Sequence, residues 1–99
     1  MRKILDYLDQ ISDELESAKD YAEAYVQLKV DEDEEWALKF KAMSEEELNH
    51  ASNIHELAAQ SMDKVREVCT MPASMQEIWD KAHSRYVEKT AWVRQMLAM

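Results

Sequence analysis

Glycine is absent from the 99 residues, and Pro72 is the one proline. Few positions are therefore set aside for tight turns or left-handed backbone, which argues against a strand-rich fold built on hairpins. Cys69 is the one cysteine, so no intrachain disulfide and no cysteine metal cluster can form. Twelve basic residues stand against 21 acidic ones, for a net charge of −9. Nucleic-acid binders need a basic face and anionic membranes repel an acidic chain, so neither partner is expected. No apolar run approaches membrane-spanning length. The opening MRKILDYLDQISDE is broken by charges and does not read as a secretion signal, so a cytoplasmic protein is expected.

What remains is dominated by Ala, Leu, Glu, Lys, Gln and Met, all good helix formers. Apolar residues recur in steps of 4 and 3 from Ile4 through Leu8, Ile11, Leu15, Ala18, Ala22 and Tyr25, one face of a helix. A second series runs Trp36, Phe40, Met43, Ile54, Leu57, Met62 and Val65, and in mid-course the same phase is occupied by Glu47 and His50. A third, broader stripe carries Met75, Ile78, Trp79, Ala82, Tyr86, Val93, Met96 and Leu97. Asp31 or Asp33 is placed to cap the second helix, and Ser74 with Glu77 forms a capping box for the third. These signals predict an all-α single domain with helices near 2–29, 32–67 and 74–98. Ser44 with Glu47 also reads as a capping box, but the stripe crosses Ser44 in phase, so one long second helix is expected.

A turn near Val30–Asp31 makes the first two helices an antiparallel hairpin in which facing residue numbers sum to about 61. Tyr25 then faces Trp36, Ala18 faces Met43, Ile11 faces His50, and Glu14 faces Glu47. Glu14 lies about 60° from Ile11 and 100° from Leu15 on the helix wheel, at the edge of the stripe. Glu14, Glu47 and His50 are thus expected together in a largely apolar seam. Ionised carboxylates there must protonate, pair or bind a metal. No lysine or arginine occupies the facing stripe, and Glu with His suits iron, manganese or zinc.

Glu14, Tyr21 seven residues later, and the Glu47-x-x-His50 pair resemble the ferritin-like di-iron carboxylate superfamily, in particular short rubrerythrin-type and encapsulated-ferritin hairpins. The match spans roughly residues 8–58. Glu16 is a second alignment for the first ligand, but it points away from the stripe and lacks a tyrosine seven residues on. The resemblance implies Glu14, Glu47 and His50 as iron ligands, with Glu47 as a bridge and Tyr21 as a hydrogen-bond or redox partner. It also implies ferroxidase chemistry. One chain holds half of such a site. A third helix folding back from Met71 would set Gln95 against Glu47 and Trp92 against His50, and neither is a ligand. Asp80-x-x-His83 would fall about 12 Å away along the helix. The expectation is a ferritin-like half-bundle completed to a four-helix core by a homodimer or larger homo-oligomer holding two irons per interface. The family also suggests association with a protein shell, although the C-terminus TAWVRQMLAM carries no obvious targeting extension. The rival reading is a non-enzymatic helical interaction module using the same acidic hairpin as a partner surface. His55 and Glu56 read as surface residues, and His83 as a hydrogen-bonded histidine.

Overall fold

A computed structural model describes residues 2–99 as three helices and no strand: α1 (Arg2–Val30), α2 (Glu34–Val68) and α3 (Ala73–Leu97). They form a rod 55 Å long. α2 runs antiparallel to α1 and packs along it; α3 returns parallel to α1 and rests mainly on that helix. Among the described residues, no helix is long and apolar enough to cross a membrane.

On α2 the seam with α1 is made mainly of small side chains, with Leu48 among them. Ala37, Ser44, Ala51 and Ala58 recur every seven residues on α2 and are wholly or almost wholly buried, facing the buried Ile4, Ile11, Ala18 and Tyr25, also spaced by seven, with Leu15 and Ala22 between. A seven-residue repeat keeps one seam in contact along two helices. Small residues let the two backbones approach closely enough for the fully buried Ser44 Oγ to donate to the Ala18 carbonyl at 2.7 Å. Their register, 18 against 44, agrees with the expected hairpin to one residue. The face buried on α2 is rotated from the expected one, however. Trp36 and Leu57 are exposed, and Phe40, Met43 and Ile54 are half-buried. Larger side chains at the seam would hold the helices apart, so the bulky residues are displaced to its flank.

The α1–α2 turn lacks the glycine such turns favour. Glu32 takes the left-handed position at φ 61°, while Glu32 N–H donates to Lys29 C=O and Asp33 N–H to Leu28 C=O. This pairing closes α1 by a Schellman motif. Asp33 then caps α2, accepting from Trp36 N–H at 3.4 Å. α3 begins one residue earlier than expected, behind Pro72, and no side-chain capping bond forms, so the Ser74–Glu77 box is not used.

α3 packs mainly on α1 and not along α2, against which the fold-back from Met71 would have set it. Lys89 Nζ meets Glu16 at 2.6 Å and Lys19 lies under the Trp92 ring at 5.4 Å, so Trp92 does not face His50. Its tie to α2 is a hydrogen bond from Arg66 to Gln76 Oε1 at 2.9 Å and an aromatic stack. His55 stacks on Tyr86 (4.2 Å, 12°) and Trp79 (5.4 Å, 29°) and shares a 2.9 Å hydrogen bond with His83. His55 is therefore half-buried rather than a surface residue. Burial, then the neighbouring His83, pushes its pKa down.

Two substitutions test this account. Ser44→Leu should destabilise the chain by about 2 kcal/mol, because the seam has no room for the added volume. Glu32→Gly should stabilise it by about 1 kcal/mol by relieving the left-handed backbone. Urea denaturation of both variants against the parent measures each.

Candidate metal centre

The buried seam fixes the rotation of α1 and α2, and with it the direction of the residue preceding each buried position. Glu14 precedes Leu15, Glu47 precedes Leu48, and His50 precedes Ala51. Each therefore emerges about 100° from the core direction, on the side of the hairpin that α3 leaves bare. There the three converge. His50 Nδ1 stands 3.6 Å from Glu14 Oε2 and 3.8 Å from Glu47 Oε1. One ligand atom from each residue lies within 4.8 Å of the others. Donors bonded at ~2.1 Å to a single ion stand about 3–4 Å apart, so the set fits one divalent cation.

The cluster lies at the rim of the seam and not inside it. The side chains of Glu14, Glu47 and His50 are 28%, 22% and 55% exposed. This corrects the expectation of burial: the buried positions of the seam are Leu15, Leu48 and Ala51, one residue further along each helix. Glu14 and Glu47 nevertheless crowd one another. A proton shared with Glu14, partial burial and the charge of Glu14 raise the Glu47 pKa, and the nearby His50 opposes them. Among the described residues, no lysine or arginine lies within 4 Å of either carboxylate, so His50 is their one basic neighbour.

The surroundings form a pattern. Seven-residue rows run along this bare side: Tyr7, Glu14, Tyr21 and Leu28 on α1; Trp36, Met43, His50 and Leu57, and Phe40, Glu47 and Ile54, on α2. On α2 the rows run on into Ser61 and Lys64 beyond the reach of α1; alongside α1, each row is aromatic or aliphatic except for one member. Those exceptions are the three residues that meet. Tyr21 belongs to this face, but its ring packs edge-on against Phe40 at 6.0 Å, and no hydrogen bond joins it to the three. Glu16 is turned toward α3, where the Lys89 hydrogen bond and charge lower its pKa. His83 pairs with His55 on that other side and takes no part in the cluster. The small-residue heptad Ala37, Ser44, Ala51, Ala58 was the signal in the sequence that could have located the rim.

In comparisons with protein-family models, curated proteins and solved structures, nothing matched this chain.

The raised Glu47 pKa has a defined effect on stability. An acid whose folded pKa is raised stabilises the fold fully below its unfolded pKa, and that contribution is lost as pH rises through the folded value. Glu47→Gln should thus be more stable than the parent by about 0.5 kcal/mol at neutral pH without metal. The advantage should vanish near pH ~4, where the parent carboxyl is protonated. Denaturant unfolding in chelator at both pH values checks this.

Proposed function

We propose that this chain is a ferritin-like di-iron protein that oxidises Fe(II) at a site shared by two copies. The observation that carries this reading is the coincidence of three interruptions. Over the length where α1 and α2 face one another, apolar rows on the two helices each break once, at one level of the rod, and the breaks supply two carboxylates and an imidazole. Solvation alone would scatter polar residues along an exposed face.

The openness of the cluster supports a shared site. Three donors leave an ion short of ligands, and His50 faces outward from an apolar surface that includes Trp36, Phe40, Met43 and Leu57. A second copy turned face to face about a two-fold axis covers these side chains and brings its own Glu14, Glu47 and His50. Four helices would then surround two irons, held by Glu14, Glu47 and His50 from each copy, with the ligand roles that the family resemblance implies. Manganese or zinc could occupy the same donors.

The chain's own contribution is electrostatic and geometric. Glu14 and Glu47 offset the charge of the substrate ion, and their crowding, unfavourable when the site is empty, is relieved by it. His50 coordinates as the neutral imidazole, so binding releases whatever protons Glu47 and His50 hold. Tyr21, further along the row, lies on the face that pairing would seal from water. Two Fe(II) ions held by these donors would supply one electron each, reducing dioxygen to hydrogen peroxide, or hydrogen peroxide to water, with two protons taken from solvent, and would depart as Fe(III). A rod of this size encloses no iron store, so storage calls for a larger assembly or a surrounding protein shell.

The second reading is a non-catalytic module whose partner covers the same face, favoured by the exposure of Trp36 and Leu57. Anaerobic Fe(II) titration followed by oxygen admission separates the two. The ferroxidase reading expects saturable Fe(II) binding, oxygen consumption, a shift from monomer toward dimer in sedimentation, and about 2.7 kcal/mol of added stability at a hundredfold excess over Kd. His50→Ala should weaken binding tenfold or more, and His55→Ala and His83→Ala by less than about twofold. Metal binding without oxygen consumption would leave a structural site. A metal-indifferent monomer unchanged by Glu47→Ala would favour the module.

A further inference from the structure

Pairing through the α1–α2 face accounts for Trp36 and Leu57. It leaves a second group of exposed apolar side chains, Leu5, Ile78 and Trp92, all lining one groove of about 840 Å³ between α1 and α3. That volume falls within the ~300–1,000 Å³ of small-molecule sites. The groove follows the parallel register of the two helices. Leu5 is level with Ile78, Ser12 with Arg85, and Lys19 with Trp92. The α1 wall from Leu5 to Leu15 is ~15 Å long.

Its charge is unlike that of the rest of the molecule. In a chain of net charge −9, Lys81, Arg85 and Lys89 stand one turn apart along the groove, against Asp9 and Glu88. Two of the three cations already have partners: Lys81 pairs with Glu77 at 3.1 Å, and Lys89 with Glu16 at 2.6 Å. Among the described residues, Arg85 has no carboxylate within 4 Å, although it stands midway along an apolar trench. The arrangement offers one uncompensated guanidinium, able to grip a carboxylate by two parallel hydrogen bonds, beside Leu5, Leu8 and Ile78. An acidic partner helix would bring charges one turn apart and find two of its three sites already filled.

We propose that the α1–α3 groove binds a free single-chain amphiphile with a carboxylate head, held by Arg85, with its alkyl tail over Leu5, Leu8 and Ile78. The site lies across α1 from the Glu14–Glu47–His50 cluster and does not depend on the function proposed for it. A bilayer is not the source of the ligand, because the acidic chain is repelled by an anionic surface and the apolar residues line a trench.

Calorimetric titration of the full chain with dodecanoate, below micelle formation, tests the assignment. Saturable binding of one molecule per chain is expected, with a change in tryptophan emission that Trp92→Phe removes without abolishing the heat. Dodecanol should bind about tenfold more weakly. Arg85→Glu should lower dodecanoate affinity by about tenfold or more, as loss of a charged hydrogen-bond partner implies, while Lys64→Glu on α2 leaves it unchanged. Thermal unfolding establishes that both variants fold. Absence of saturable binding, equal affinity for acid and alcohol, or indifference to Arg85→Glu would overturn the proposal. So would binding to anionic vesicles without binding of dodecanoate, or a ligand-free dimer dissolved by Ile78→Glu, which would give the groove to a second copy.

Discussion

The close approach of α1 and α2 through small residues governs the rest of this molecule. The Ser44 hydroxyl reaches the Ala18 carbonyl at 2.7 Å because two small residues meet there, and Ala22, Ala37, Ala51 and Ala58 extend the small-residue row among Ile11, Leu15, Tyr25 and Leu48. This seam is filled by small and aliphatic side chains and Tyr25. It can fix the rotation of both helices, and so direct the residue before each buried position onto the flank. Glu14, Glu47 and His50 are three such residues, and they meet because their buried neighbours Leu15, Leu48 and Ala51 are locked.

The same constraint divides the surface. One flank of the hairpin is covered by α3, through the Lys89–Glu16 pair, Trp92 over Lys19, and the stack of His55 with Tyr86 and Trp79. The other stays bare although it carries aromatic and aliphatic rows. An uncovered apolar face centred on two crowded carboxylates is poorly satisfied in a single chain. In the proposed pairing both difficulties have one remedy, since a second copy buries the rows and cations neutralise the acids. The groove on the far side of α1 carries Lys81, Arg85 and Lys89 against Asp9 and Glu88, and Arg85 is the one of those three cations left without an ion-pair partner among the described residues.

Much of this was legible in the residues. The 4-and-3 spacing located all three helices to within two residues at each end, and of the two candidate caps, Asp31 and Asp33, the structure uses Asp33. The hairpin register followed from turn placement and brought Glu14, Glu47 and His50 to one level. The rotation of α2 was not legible, because Trp36, Phe40 and Met43 outweigh alanine and serine on any scale of hydrophobicity. Packing distance, to which such scales are blind, decided in favour of the small residues. His55 was similarly misjudged as a surface residue: its burial depends on Trp79 and Tyr86, which are distant in sequence.

Sequence alone therefore determined the helices, their order and the level at which the three polar residues meet, because periodicity and chain reversal are local properties of a chain without glycine. Tertiary structure alone decided that these residues stand at the rim of the seam and that α3 covers one flank and spares the other. Those outcomes depend on how near two backbones can come, a distance set jointly by side chains from both helices.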